Sequence, residues 1–449
     1  MMKLVKEFKT QSIYIFLGLI SFLFPLLHPA FFFIAFLAGA IFLSGIKPGS
    51  GAFNILARES DIRAGKLAGM IYLFYTMAVL FLIHLIFDIK FPLFIVGGAF
   101  AITTFGDGIA DIINIHEKVK NGNHKNDIKV YSAKSSIVFL ISGSMYALLV
   151  GAWISDFTVY IPYGMIFFLA VLGSISGALL ESITVREDNI IIPFGSAMTM
   201  WLFYTFSYKV DTLFLIQVLI LSFVLGYLAY KARIADISAM LSATLLGVVI
   251  IISSDISWFF VLLAFFLLGG LFTRYRYDYK LSHGIAEAKG GVRGYKNVFS
   301  NSLAALSLAV VYGIFSSNDR FILLAYLGSI ATAAGDTLAS EIGQTYRGEP
   351  RMITTLKKVH PGTDGAVSIL GEFSALFGAG VIALISFLLI QNDIGLVIAV
   401  IAGGFIGTNI DSVLGATLQQ KGYLSNNGVN LVATASGAMV SGMFYLVGM

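Results

Sequence analysis

Apolar runs of membrane-spanning length alternate with short polar segments along the whole chain. Runs at 12–25, 31–42, 67–87, 137–153 and 161–180 contain no charged residue. About 20 apolar residues cross the hydrocarbon core of a bilayer as an α-helix. The pattern therefore predicts an all-α polytopic membrane protein of about fifteen transmembrane helices. They are predicted to end near residues 25, 44, 87, 104, 153, 180, 206, 230, 252, 272, 315, 334, 390, 410 and 447.

Basic residues fall almost entirely on one side of this predicted topology. Of 29 Lys and Arg residues, only Lys90, Lys209 and Arg320 lie in loops on the opposite side. The positive-inside rule places the Lys/Arg-rich side in the cytoplasm. We therefore expect the N-terminus inside, the C-terminus outside and a multi-pass protein of the plasma membrane whose reactive residues face the cytoplasm. The first apolar run lacks a small-residue cleavage site, which indicates a retained first helix.

The amino-acid composition and the absence of certain motifs exclude several kinds of site. Hydrophobic residues make up 57% of the chain and charged residues 12%, and there is no cysteine. Disulfides and thiolate metal sites are thus excluded. The sequence contains no P-loop motif, which argues against an ATP site of the soluble type. The net charge of +4 gives no indication of a nucleic-acid partner.

Three segments recur in the same order at similar separations. Residues 103–112 parallel 332–341 at an offset of 229, residues 173–182 parallel 403–412 at an offset of 230, and residues 189–198 parallel 430–439. An offset equal to eight spans lets both copies face the same way, which is typical of a parallel duplication. We predict two related membrane domains, 1–230 and 231–449.

In the first half, carboxylates stand where predicted spans meet the cytoplasm. Asp107 and Asp111 are four residues apart and would share one helical face, and Glu181 ends another span. Mg²⁺ is typically held by one or two carboxylates together with substrate phosphate oxygens. We predict metal ligands at Asp107 and Asp111, and a catalytic role for both of them and for Lys134 and Glu181. The predicted phosphate- or nucleotide-binding residues of this half are Gly106 and Asn189. The alternative is that these acids are solvated helix ends.

The second half carries a similar but richer set. A Gly-rich turn that opens into a helix exposes backbone N–H groups suited to phosphate. We predict metal ligands at Asp336 and Asp411 and a catalytic role for both of them and for Glu341. The predicted phosphate- or nucleotide-binding residues are Gly335, Thr337, Lys357, Lys358, Pro361, Gly362, Thr363, Ser412 and Asn430. The alternative reading of Pro361-Gly362 is a simple turn before the next span.

The first half, from about residue 57 to 203, resembles the phytol kinase and dolichol kinase family of CTP-dependent membrane enzymes. The resemblance lies in residues 106–112, Lys134-Ser135, 179–182 and 188–193. It departs from the family where Ser136-Ile137-Val138 replaces the usual Trp-Glu-Gly, and where a Gly-Arg-x-x-Gly-Lys stretch is absent from 115–129. The resemblance implies phosphorylation of a prenyl alcohol, with a weakened or altered activity.

The second half, from about residue 293, resembles the membrane family that contains the plant phytyl-phosphate kinase and the animal transmembrane protein nineteen. Its matching segments are 335–343, 361–365 and 411–419. The two resemblances together imply CTP-dependent phosphorylation of an isoprenoid alcohol and of its monophosphate to the diphosphate, with Mg²⁺ as cofactor. Two alternatives remain: a cytidylyltransferase acting on a lipid phosphate, and a secondary transporter, whose coupling residues would lie nearer the midplane.

Overall fold

The chain folds almost entirely into α-helices. A computed structural model describes residues 2–120, 132–183, 188–315, 320–346 and 348–447. Contacts within it separate two compact units, Met1–Gln217 and Val218–Met449. This division falls inside a helix that ends at Lys231, whereas the sequence places the boundary at the end of that helix.

Within its described residues, the first unit contains ten α-helices, and an eleventh leads into the second unit. They are α1 (Met2–Gly18), α2 (Pro29–Ser44), α3 (Gly51–Leu56), α4 (Glu59–Ala64), α5 (Ala68–Phe87), α6 (Leu93–Ala101), α7 (Gly108–Lys120), α8 (Ala133–Phe157), α9 (Tyr163–Ile183), α10 (Asp188–Thr205) and α11 (Thr212–Lys231). A π-helical segment, Ile102–Asp107, joins α6 to α7, so that the two form one continuous rod.

The second unit adds eight helices and one small hairpin. The helices are α12 (Ile237–Ser253), α13 (Ile256–Arg274), α14 (Tyr277–Ser282), α15 (Tyr295–Phe315), α16 (Arg320–Gly343), α17 (Ile369–Leu389), α18 (Ile394–Leu414) and α19 (Asn426–Met443). The antiparallel strands β1 (Arg351–Met352) and β2 (Ala366–Val367) pair Arg351 with Val367. A second π-helical segment, Gly415–Gln419, extends α18.

The predicted membrane architecture is confirmed. Each of the fifteen predicted spans corresponds to a helix, namely α1, α2, α5, α6, α8 to α13 and α15 to α19. Within the described ranges, eleven helical stretches are long and apolar enough to cross a membrane. Three shorter apolar helices, Phe8–Leu23, Pro29–Ser44 and Ile237–Ser253, accompany them.

Two predicted span ends are wrong. The helix predicted to stop near residue 104 continues through the π-helical segment into α7, and the helix predicted to stop near 334 continues to Gly343. A hydropathy pattern breaks at the first charged residue, whereas a helix continues as long as its backbone hydrogen bonds do. Asp107 and Asp336 are therefore interior residues of long helices and not helix ends.

Helix α16 is the centre of the second unit, and it packs on α17, α18 and α19 through small residues. A Cβ atom added at Gly437 would lie 1.9 Å from Thr332 Oγ1, and one added at Gly378 would lie 2.8 Å from the Ala334 carbonyl oxygen. Small residues let membrane helices approach closely, where van der Waals packing drives their association. This close packing fixes the position of Asp336 on α16 relative to the neighbouring helices.

Candidate functional site

A cluster of three buried carboxylates lies inside the first unit. Asp107 and Asp111, at the junction of the π-helical segment and α7, are 2% and 6% exposed, and Glu181 near the end of α9 is fully buried. One carboxylate oxygen from each residue lies within 4.8 Å of the other two. Like charges at this separation repel strongly in a low-dielectric interior, so the cluster favours a bound cation.

Close helix packing holds this cluster in place. A Cβ atom added at Gly106 would lie 3.2 Å from the Gly143 Cα atom, so α8 passes directly against the π-helical segment. Gly106 is therefore a packing residue in this structure, whereas the sequence suggested phosphate binding. Gln11 of α1 donates a hydrogen bond to Asp111 from the opposite side.

An arginine that the sequence did not single out lies beside the cluster. The guanidinium carbon of Arg58 lies 4.2 Å from the ring centroid of Tyr14. Burial alone would lower the pKa of Arg58, but Tyr14 and the carboxylates of Asp107 and Asp111 outweigh it and raise that pKa. Arg58 thus supplies one positive charge to a region that holds several negative ones.

The remaining predicted residues of the first unit occupy helix starts. Asn189 is 4% exposed in the first turn of α10, and its amide nitrogen lies 3.0 Å from the position of a Cβ atom added at Gly69. Lys134 is exposed in the first turn of α8. The neighbouring basic residues Lys125 and Lys129 lie outside the described residues.

The second unit contains a polar cavity of about 410 Å³. Most of the site residues predicted for this half line it. They are Asp336, Thr337, Glu341, Pro361, Gly362, Thr363, Asp411, Ser412 and Asn430. Four separate stretches of sequence therefore meet at one cavity.

Two acids on neighbouring helices form part of the anionic wall of the cavity. Asp411 of α18 lies close enough to Asp336 of α16 and to Asp364 for their charges to interact. The Oδ2 atom of Asp411 is buried and accepts no hydrogen bond within the described part of the chain. A buried carboxylate oxygen without a donor is costly unless a cation satisfies it. Asp336 and Asp411 therefore fit a divalent cation.

Three helices begin at the same cavity. Asn297 is the third residue of α15, Gly371 the third of α17 and Asn426 the first of α19, and all three line the cavity. Ser368 caps α17 by accepting a hydrogen bond of 3.1 Å from Gly371 N. Helix N-termini carry unpaired N–H groups and about half a positive charge, which favours anions.

The loop around Pro361 is fixed against the end of α18. Gly365 has φ +78°, and a Cβ atom there would lie 2.4 Å from Ala416 N. Gln420 Nε2 donates a hydrogen bond of 2.9 Å to the Asp364 carbonyl oxygen. Only glycine tolerates both the left-handed backbone and this approach. The loop is therefore more than a simple turn, because its backbone forms one wall of the cavity.

Other predicted residues of the second unit lie elsewhere. Gly335 is a packing residue, since its added Cβ atom would lie 2.7 Å from Thr408 Oγ1. Lys357 and Lys358 are exposed and are absent from the cavity lining. The Nζ atom of Lys358 lies 2.5 Å from the Oε2 atom of Glu349, and this hydrogen bond lowers the pKa of Glu349. Phosphate binding by these two lysines is thus not supported by their position.

Glu341 has a partner that sequence reasoning missed. The ammonium group of Lys280, which is fully buried, pairs with Glu341 and also donates a hydrogen bond of 2.8 Å to the Thr273 carbonyl oxygen. Lys280 thereby joins the ends of α13 and α16. Glu341 lines the cavity with its charge already paired, which favours a structural role for it.

The cavity also contains Arg293, Asn297 and Asn301, which no motif indicated. Burial lowers the pKa of Arg293, and Glu341 and Glu287 act in the opposite direction. Asn301 accepts a hydrogen bond of 3.4 Å from Asn430 Nδ2, which joins α15 to α19. In the sequence, Arg293 was only one of many basic residues in a loop, and no spacing distinguished it.

Comparison with known proteins places the second unit in a family. The family described as "Integral membrane protein DUF92" matches residues 220–438. An uncharacterized membrane protein of Methanocaldococcus jannaschii is 35% identical over 222 residues, which cover 49% of this chain and 90% of the relative. No solved structure matches the chain significantly.

Two plant proteins are also similar. Protein PGR of Arabidopsis thaliana is 32% identical, with 47% of this chain and 81% of the relative covered. The chloroplastic protein VTE6 of the same organism is 29% identical, with 45% and 63% covered. The alignment with the archaeal relative covers 90% of that protein. The chain therefore belongs to the DUF92 family of integral membrane proteins.

Proposed function

We propose that the second unit transfers the γ-phosphoryl group of a nucleoside triphosphate, CTP, to an isoprenoid monophosphate. The observation that carries this proposal is the single cavity lined by Asp336, Asp411 and the starts of α15, α17 and α19. Carboxylates that fit a divalent cation and N–H groups that favour anions are the two elements that phosphoryl transfer requires.

The transfer is an in-line displacement. An oxygen of the acceptor monophosphate attacks the γ-phosphorus, the bond from that phosphorus to the β–γ bridging oxygen breaks, and the nucleoside diphosphate leaves with the bond electrons. Mg²⁺ held by Asp336 and Asp411 would neutralise charge on the phosphate oxygens. The protein's part is to hold the two anionic substrates together, which the helix starts and the loop backbone favour electrostatically.

For the first unit we propose the preceding step, phosphorylation of the isoprenoid alcohol. Its support is the buried group of Asp107, Asp111 and Glu181, whose oxygens are close enough to share one cation. One of these carboxylates would accept the hydroxyl proton as the alcohol oxygen attacks the γ-phosphorus of CTP. The bond from that phosphorus to the β–γ bridging oxygen breaks, and CDP leaves. The product of this unit would then be the acceptor of the second.

Membrane location supports a lipid substrate. Both acid groups lie on helices that are long and apolar enough to span a bilayer, so a prenyl chain would remain in the membrane while its head reaches the acids. The archaeal relative named above is a membrane protein, and the second half resembles the family containing phytyl-phosphate kinase. We propose that both sites face the cytoplasm of a plasma-membrane protein.

The experiment uses the purified full chain with Mg²⁺, γ-labelled CTP and either geranylgeraniol or its monophosphate. We expect label in the diphosphate product, lost in Asp336→Ala but kept in Asp107→Ala, and label in the monophosphate product with the reverse pattern. Release of pyrophosphate in place of CDP would establish the cytidylyltransferase alternative. Absence of transfer with any nucleotide would favour transport.

A further inference from the structure

The guanidinium group of Arg293 lies deeper in the second unit than the loops around it. A Cβ atom added at Gly269 would lie 2.4–2.7 Å from the guanidinium atoms of Arg293, so glycine leaves the space that this group fills. The guanidinium carbon lies 5.8 Å from the centroid of Phe265. Gly269 stands five residues before the end of α13, which corresponds to about 7.5 Å along the helix axis. Arg293 thus reaches into the span from the loop that precedes α15.

The backbone of Arg293 is fixed while its side chain retains an unused donor. Arg293 N donates a hydrogen bond of 2.9 Å to the Ile234 carbonyl oxygen, and Asp236 N donates one of 2.9 Å to the Arg293 carbonyl oxygen. The Nη1 atom is buried and has no hydrogen-bond partner among the described residues, and the same holds for Asn297 Oδ1 one turn away. A charge at membrane depth is costly and is retained where it has a partner or a task.

We propose that Arg293 binds the phosphate group of the membrane-embedded acceptor and thereby selects an isoprenoid monophosphate over the alcohol. This inference rests on the proposed function of the second unit and assigns its acceptor subsite. Arginine suits the role because its planar fork matches phosphate oxygens.

Position separates this subsite from that of the nucleotide. The charges that interact with Arg293 are those of the buried Glu341 and the exposed Glu287, whereas Asp411 interacts with Asp336 and with the exposed Asp364. A water-borne nucleotide enters along the exposed loop that carries Asp364. A phosphate carried by a prenyl chain arrives from the membrane, alongside α13, where the guanidinium lies.

The test measures equilibrium binding of labelled geranylgeranyl monophosphate and of geranylgeraniol to the full chain in nanodiscs. We expect Arg293→Gln to weaken monophosphate binding about ten- to hundredfold and to leave alcohol binding unchanged, because a charged hydrogen bond is lost. Arg293→Lys should retain part of the preference. The matched control is Arg276→Gln, at an exposed arginine outside the cavity lining, which should bind like the wild type.

A second variant covers the case in which Arg293→Gln does not fold. Gly269→Ala displaces the guanidinium without removing a charge and should weaken monophosphate binding selectively. Equal losses for monophosphate and alcohol, or no loss, would overturn the inference. Displacement of the labelled monophosphate by inorganic phosphate at equal affinity would also overturn it, because the site would then take free phosphate.

Kinetics distinguish the failure of this inference from failure of the proposed function. Arg293→Gln should raise the KM for the monophosphate and leave the KM for CTP unchanged. A rise in the KM for CTP alone would assign Arg293 to the nucleotide and overturn the inference while transfer stands. Binding that depends on Arg293, without any label transfer by the wild type, would overturn the kinase proposal and leave the acceptor subsite standing.

Discussion

Lys280 and Glu341 form an ion pair whose side chains are 0% and 9% exposed, between the short helix α14 and the end of α16. The lysine also satisfies carbonyl oxygens at the end of α13. The pair therefore connects three helices next to the cavity. Its geometry leaves neither charge available for chemistry.

Removing one partner of this pair should destabilise the protein strongly. Lys280→Met leaves Glu341 buried without a counter-ion, a change that typically costs about 3–5 kcal/mol. We expect a clear fall in the unfolding midpoint in detergent, and a smaller fall for the double variant Lys280→Met/Glu341→Leu than for the sum of the single ones. Additive losses would mean that the pair contributes no coupling.

The two acids of the cavity should matter for activity and not for folding. Asp336→Asn and Asp411→Asn remove a repulsive charge from a buried pair, so the unfolding midpoint should stay or rise. Transfer to the monophosphate should fall at least about hundredfold, a typical cost of losing one electrostatic element of a site. The exposed Asp278→Asn serves as the control. Wild-type turnover in either cavity variant would remove that acid from the site.

The carboxylate cluster of the first unit predicts stabilisation by divalent cations. A ligand that binds only the folded state raises its stability by mass action. The unfolding midpoint of the full chain should therefore rise with Mg²⁺ relative to EDTA, and this rise should shrink in Asp107→Asn and Glu181→Gln. Asp88→Asn is a suitable control, because Asp88 is exposed and asparagine tolerates its φ of 44°. An unchanged Mg²⁺ effect in the cluster variants would place the cation elsewhere.

The loop at Gly365 should not tolerate a side chain. Gly365→Ala combines a positive φ with a contact of 2.4 Å to the backbone of Ala416, which cannot move aside as a flexible side chain could. We expect loss of transfer activity and a lower unfolding midpoint. Gly284→Ala is a matched control, because Gly284 also has a positive φ of 69° but nothing lies within 4 Å of its added Cβ atom. If both variants behave alike, close packing of the loop has no part in function.

Orientation can be tested directly because the chain has no cysteine. Single cysteines at Lys421 and Lys209, both exposed, should react with a membrane-impermeant maleimide from opposite faces. The positive-inside rule predicts that Lys421→Cys is cytoplasmic and Lys209→Cys external. Labelling of both from one face of intact cells would refute the predicted topology.

The sequence predicted the membrane helices well because apolar length is a local property. Most of the site residues that it predicted for the second half also line the cavity, since Asp336, Thr363 and Asp411 stand in polar motifs that interrupt apolar runs. Arg293 could not be recognised, because its role depends on the gap left by Gly269 on another helix. The role of Lys280 could not be recognised either, because its partner Glu341 is 61 residues away in the sequence.

The π-helical segment at Ile102–Asp107 makes the first acid cluster depend on helical phase. A π turn contains one residue more than an α turn, so this segment would turn further about the helix axis if it adopted α geometry with no residue removed. Every later residue of the rod would then rotate by about 100° relative to α6. Asp107 and Asp111 would turn together away from Glu181 on α9. A return of this one segment to α geometry would disperse the carboxylates while leaving all three of them in the chain.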